Sequence, residues 1–147
     1  MRLLVDGDAA GHRAFLAGLA REKGVTLVWV HDPSHRPPAP EPGLDLRAVL
    51  ADGPGQGVDV ALMNLAAPGD VVVTADLGLA VVCVSRGAAV LSPRGFWYRP
   101  EELERRMEFR ALAARLRRGG ADLGGRPPQR RLDDWRFEAE LRQALEA

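Results

Sequence analysis

The chain has 147 residues, with 20 basic and 20 acidic side chains and a formal net charge of zero. That length suits one domain whose core buries roughly two-thirds of the unfolded chain's surface, and 46% hydrophobic with 27% charged residues excludes a disordered chain. No apolar run approaches the roughly 20 residues of a membrane span. The first residues lack a signal-peptide core, and the lone Cys83 excludes an internal disulfide framework or a thiolate-rich metal site; a soluble cytoplasmic protein is expected.

Arg2–Asp6 (RLLVD) is a short apolar run ending in an acid and reads as a buried strand. Asp8 stands where an N-cap would, before a segment in which Phe15, Leu16 and Leu19 recur at helical spacing and Gly24 supplies a stop. Residues 25–30 (VTLVWV) form a second buried strand. Residues 31–43 hold five prolines and read as an irregular or polyproline-like loop. Leu46–Leu50 fits either strand or helix, and the Asp-Gly-Pro-Gly turn that follows at once favours strand. Residues 58–66 predict a short helix stopped by Pro68-Gly69, residues 70–74 (DVVVT) a third clear buried strand, residues 77–87 a helix, and residues 88–92 a fourth clear strand.

From Pro100 the texture changes. Residues 101–120 predict a long amphipathic helix with acids in its first turn and arginines in its last, the polarity that the helix dipole favours. A Gly-Gly-x-Pro-Pro loop from Gly124 to Pro128 leads to a final helix over about residues 133–146. Strands alternating with helices of about ten residues imply a mostly parallel sheet flanked by helices on both faces. Residues 1–98 would be the α/β body and residues 99–147 a C-terminal helical extension of one domain.

In such sheets ligands gather outside the carboxyl ends of the strands. Asp6 ends the first strand, Asp8 opens the next helix, and Asp76 lies two residues past the third clear strand. Asp59 opens the short helix ahead of that strand, whereas Asp70 begins the strand and belongs to the opposite edge. Four carboxylates on one rim repel one another, and Mg²⁺ or Mn²⁺, which take oxygen ligands, would remove that cost and could activate water for phosphodiester hydrolysis. Asp8, Asp59 and Asp76 also fit as plain helix N-caps; Asp6, closing a buried strand, has no such obvious duty. Asp-x-Asp is shared with phosphatases of the haloacid dehalogenase type. That motif would continue Asp-Gly-Thr and use a downstream lysine, whereas Ala9-Ala10 follow Asp8 and no lysine follows Lys23.

Of the histidines, His12 is placed one turn into the first helix on a solvent-facing position, and His31 and His35 bracket the proline loop as a weak metal signal. Cys83 reads as a small core residue. Trp97 and Tyr98 follow Arg94-Gly95, a basic and aromatic turn that either stacks on a base and holds a phosphate or plugs the base of the last two helices. The basic set comprises 19 arginines and Lys23. Residues 1–98 carry a net of −2 and residues 99–147 a net of +2, sharpened to +7 within residues 105–131. Such a run is a solvated helix face by default, and beside an acidic rim it suits a phosphate backbone.

The N-terminal VDGDA, the block GVDVALMNLAAPGDVVVTADLGLA, RGAAVLSPRGFWY and GGRPP resemble the YaiI/YqxD family of uncharacterised bacterial proteins, in order along nearly the whole chain. The resemblance implies a PIN-like three-layer α/β sandwich of the nuclease type. It implies that Asp6, Asp8, Asp59 and Asp76 are catalytic and bind Mg²⁺ or Mn²⁺. Pro93, Arg94 and Gly95 match the family's Pro-Arg-Gly turn, which makes Arg94 a candidate phosphate contact, with Asn64 a weaker candidate near the metal. The family's usual Ala-Cys-Pro after the second Asp stands here as Ala9-Ala10-Gly11. The expected function is a metal-dependent ribonuclease acting on RNA or another single-stranded nucleic acid. The alternatives are a non-catalytic nucleic-acid or protein binding module using the Arg-rich helix, and the phosphatase.

Overall fold

The computed structural model describes residues 1–7, 12–51, 57–120 and 131–146. Asp8, the Ala9-Ala10-Gly11 segment, the Asp52-to-Gly55 turn and the Gly124-to-Pro128 loop lie outside the described residues. The elements run β1 (Arg2–Asp6), α1 (Arg13–Lys23), β2 (Thr26–His31), β3 (Leu46–Leu50), α2 (Val58–Leu65), β4 (Val71–Val73), α3 (Leu77–Ser85), β5 (Ala89–Leu91), α4 (Pro100–Arg118) and α5 (Arg131–Ala144). The strands form one sheet in the order β3-β2-β1-β4-β5, every pairing parallel. Among the described residues no helix is long and apolar enough to cross a membrane.

A parallel sheet covered on both faces needs strands apolar on both faces, and β1, β2 and β4 supply them. Leu3, Val5, Leu27, Trp29, Val71 and Val73 face a core shared with α1 and α5, where Leu16, Leu19, Phe137, Leu141 and Leu145 are buried. Leu4, Val28, Val30, Val72 and Val90 face a second core with Leu62 of α2, Leu79 and Cys83 of α3 and Leu103 of α4. The period-two alternation thus divides each strand between two layers of helix, a three-layer α/β sandwich. β3, at the sheet edge, is largely exposed. Its strand state follows from its parallel pairing with β2. Cys83 is fully buried, and burial pushes its thiol up to about 11, so it is a core residue.

At the amino edge of the sheet Asp70 is tied to Arg2. The Arg2 Nε and Nη2 groups donate to Oδ1 and Oδ2 of Asp70 at 3.1 and 2.6 Å, and the Ala67 N–H donates to Oδ2 at 3.1 Å. The Asp70 carboxylate raises the Arg2 pKa further, chiefly through the side-chain hydrogen bond. The clasp joins the start of β1 to the start of β4, with Asp70 buried and Arg2 about one-third exposed. Asp70→Ala should therefore cost about 2 kcal/mol, less than a fully buried pair, because solvent screens the arginine. Urea unfolding would register this as a lower midpoint. The carboxyl edge around Asp6, a strand's length away, should be unaffected.

Candidate active site

The chain enters at β1, moves outward through β2 to β3, then crosses back over α2 to β4 on the other side of β1. The strand order therefore reverses between β1 and β4. The crevice outside their carboxyl ends is the place where open α/β sheets bind ligands. Asp6, the last residue of β1, and Asp76, three residues beyond β4, both line a cavity of about 1150 Å³ at this point.

One hydroxyl links the two acids. Thr74 Oγ1 donates to Asp6 Oδ2 at 2.9 Å and accepts from the Asp76 backbone N–H at 3.0 Å. Thr74 is fully buried and Asp6 nearly so, at 7% exposure, so the Asp6 carboxylate is fixed in position by packing as well as by the hydroxyl. Asp76 is exposed and caps α3, its Oδ1 accepting from the Leu79 N–H at 3.1 Å. The capping duty is thus real for Asp76, and it leaves the same side chain on the cavity wall. Thr74 escaped the sequence reading. Its only signal is a polar residue closing an all-valine strand, VVVT.

The opposite wall comes from the turn after β5 and from α4. Ser92 Oγ accepts from the Arg94 N–H at 3.1 Å, and Ser92 C=O accepts from Gly95 N–H at 2.9 Å, which fixes the Pro93-Arg94-Gly95 turn. Arg94 lines the cavity together with Arg105, Arg106 and Arg110 of α4, while Glu102 adds a third carboxylate to the wall. Arg106 lies over the Phe96 ring at 4.1 Å, a cation–π contact that restrains it. Trp97 turns away from the cavity, its Nε1 donating to Glu140 of α5 at 2.9 Å, as the plug alternative expects, whereas Tyr98 is packed in the core and still lines the cavity.

The turn is braced from behind by α5. Gly95 has φ +93°, and a Cβ there would stand 2.7 Å from the Phe137 nitrogen, so only glycine allows both the backbone angle and the close approach. Gly95→Ala should destabilise the fold by about 2 kcal/mol or more through strain plus displacement of α5. A thermal melt at wild-type value would rule this packing out. His12 corrects the expectation of a solvent-facing helical position. It is the residue before α1, 7% exposed, its Nε2 within 3.1 Å of the Pro93 carbonyl oxygen and its ring 4.0 Å from that of Phe137.

The remaining candidates lie apart from this wall. Asp59 is exposed in the first turn of α2, whose N-cap is Gly57, so Asp59 is not the cap expected of it. It is not among the residues lining the cavity. Asn64 is exposed near the other end of α2, also outside the lining. His35 Nδ1 lies 2.9 Å from Asp32 Oδ1, and Ser34 Oγ donates to the same oxygen at 2.7 Å. The Ser34 and then the His35 bonds hold the exposed Asp32 carboxyl down at about 2, which makes the segment a hydrogen-bonded turn. Among the described residues no three His, Cys, Asp or Glu side chains are gathered closely enough to hold a metal ion.

Residues 4–147 match the family model described as "Uncharacterized BCR, YaiI/YqxD family". A "UPF0178 protein" of Burkholderia vietnamiensis is 35% identical over 144 residues, covering 96% of this chain and 93% of the relative. One from Burkholderia cenocepacia is 36% identical over 147 residues, covering 99% and 96%, and one from Heliobacterium modesticaldum is 34% identical over 146 residues, covering 99% and 97%. No solved structure gives a significant match. With a family model spanning the strand-end acids, the arginine turn and both last helices alike, the chain belongs to the YaiI/YqxD family.

Proposed function

We propose that the protein is a metal-dependent nuclease of the PIN-like kind, hydrolysing phosphodiester bonds, RNA favoured, in the cavity at the β1/β4 switch point. The observation that carries this reading is the convergence of Asp6 and Asp76 with four arginines around one cavity. Carboxylate oxygens are the donors that Mg²⁺ and Mn²⁺ take, Mg²⁺ commonly through one or two carboxylates and several waters. The donor set of Asp6 and Asp76 fits such an ion, with Asp8 as a further ligand candidate from the sequence, whereas Asp59 lies outside the cavity lining. When bound, the ion supplies a more acidic water and neutralises charge on the phosphoryl group.

The chain's own residues then divide the remaining work. Thr74 holds the Asp6 carboxylate in one orientation. Arg94, on a turn fixed by Ser92, presents a planar donor fork suited to a phosphate. Arg105, Arg106 and Arg110 extend the positive wall along α4 and would track the neighbouring backbone phosphates.

A second reading, a nucleic-acid binding module without hydrolysis, is favoured by the cavity lining's balance of four arginines against three carboxylates. Calorimetric titration with Mn²⁺ of wild type and Asp76→Asn, beside cleavage of labelled single-stranded RNA, separates the two. The nuclease reading expects Mn²⁺ binding weakened at least about 10-fold by Asp76→Asn. It also expects cleavage that stops on chelation. Salt-dependent binding with no cleavage of any nucleic acid leaves the module. Turnover of a chromogenic phosphomonoester with a phosphoryl group trapped on Asp6 would instead reinstate the phosphatase.

A further inference from the structure

Among the described residues three aromatic rings line the cavity at the β1/β4 switch point, those of Phe96, Tyr98 and Phe109. Two of them are occupied. Tyr98 is buried, and Phe96 is covered by the Arg106 guanidinium at 4.1 Å and meets the Tyr98 ring edge-on at 5.2 Å. Phe109 differs on both counts. It is 72% exposed, the highest value of any large apolar side chain among the described residues, and it makes no ring contact with them. A lone exposed apolar side chain is ordinary on a surface, but this one stands at the mouth of a cavity and among cations. Arg105 and Arg106 precede it by four and three residues and so neighbour it on the helix surface, and Arg110 follows it; all three line the same cavity.

The charge of α4 sets the chemistry that such a ring meets. Between residues 105 and 118 six arginines stand against one acid, Glu108. A surface of that sign attracts a polyanion and repels a second copy of itself. Among polyanions, a nucleic acid carries flat apolar faces between its phosphates, and cations interleaved with open aromatic rings are what hold its single strands. We propose that Phe109 is the platform on which one unpaired base of a bound strand stacks, while Arg105 and Arg110 hold the phosphates beside it. A base inside a duplex has both faces covered by its neighbours, so the platform serves a single strand and adds little for a duplex. Phe109 is then a specificity-determining contact, separate from the strand-end acids. This inference rests on the reading of the cavity as a nucleic-acid site, and it holds whether or not hydrolysis occurs there.

Fluorescence anisotropy of the full chain with a labelled single-stranded RNA of about 12 nucleotides tests it, with chelator present so that no strand is cut. Phe109→Ala should weaken single-strand binding about 10-fold, the effect of one lost base stack, and leave the salt dependence unchanged because no phosphate contact is lost. Its thermal melt should stay at the wild-type value, since the ring is largely exposed, and Phe109→Trp should keep wild-type affinity. Arg110→Gln should instead reduce the salt slope by about 0.7. On duplex RNA of the same sequence Phe109→Ala should change affinity less than about 2-fold. Single-strand binding by Phe109→Ala within about 2-fold of wild type, with Arg110→Gln still weakened, overturns the platform and leaves the nucleic-acid reading standing. An equal loss on single strand and duplex also overturns it, because an unpaired base is then not what the ring selects. A wild-type chain with no salt-dependent binding to either RNA overturns the nucleic-acid reading, and the platform with it.

Discussion

Under the proposed nuclease function, Asp6→Asn should lower Mn²⁺-dependent cleavage of single-stranded RNA at least about 100-fold, which corresponds to the roughly 3 kcal/mol that one lost charge contact to a transition state can cost. The fold should survive, because the substitution keeps the shape of a buried side chain and an amide oxygen can still accept from Thr74 Oγ1. Asp6→Ala is the harsher change. It leaves the Thr74 hydroxyl buried without its acceptor and should lose both activity and about 1–2 kcal/mol of stability. The contrast between the two variants matters more than either alone. Equal loss of activity with unequal loss of stability assigns Asp6 a chemical role, whereas activity that simply follows stability makes the carboxylate an anchor for Thr74. Asp76→Asn should follow Asp6→Asn in activity, since its backbone N–H shares the same hydroxyl and its side chain shares the same cavity.

The parts of this molecule that were legible in the sequence are those fixed by local chemistry. The valine and leucine runs of β1, β2 and β4 announce strands buried on both faces, and the alternation with helices announces a parallel sheet. Asp6 and Asp76 follow from that step, because a strand's last residue and the residues just after it must lie at the carboxyl edge. The third clear strand was expected over residues 70–74, and β4 covers only Val71–Val73. Asp70 and Thr74 still bond to β5 through their backbones, the Ala89 N–H donating to the Asp70 carbonyl and the Thr74 N–H to the Leu91 carbonyl, while their side chains serve Arg2 and Asp6.

What stayed hidden is set by contacts between distant segments. His12 has a polar side chain near a helix start, and nothing local shows that residues 93 and 137 enclose it. Asp59 was placed two residues too far from the true cap, Gly57, because glycine also serves as an N-cap and leaves no side chain to notice. The long helix after Pro100 has the expected charge polarity, with Glu101 and Glu102 in its first turn and Arg115, Arg117 and Arg118 in its last. Its amphipathic face is another matter. Leu103 and Ala113 meet the body, whereas Phe109, Leu112 and Leu116 point elsewhere, because the apolar residues of α4 occupy two stripes rather than one.

Phe137→Ala should be the most destabilising single truncation among the residues that connect the site to the core. Phe137 is fully buried, its ring lying 4.0 Å from His12 and packing edge-on at 6.3 Å against Phe15. Removing such a ring costs about 3–5 kcal/mol in transfer and cavity terms, which for a chain of this length lowers the melting temperature by about 6–20 °C. The loss should also reach the Pro93-Arg94-Gly95 turn, since the backbone at Phe137 is what Gly95 packs against and the His12 ring stacked on Phe137 lies against the Pro93 carbonyl. Hydrogen exchange gives the discriminating measurement. The Gly95 amide, bonded to the Ser92 carbonyl, should lose more protection than amides of β2, which lie in the sheet away from this turn. Phe137→Leu should keep most of the volume and cost under about 1.5 kcal/mol. A Phe137→Ala variant within about 1 kcal/mol of wild type would mean that α5 is an appendage. The expected large loss makes the C-terminal helix a structural part of the site, because the arginine turn is then held from behind by a side chain more than forty residues further along the chain.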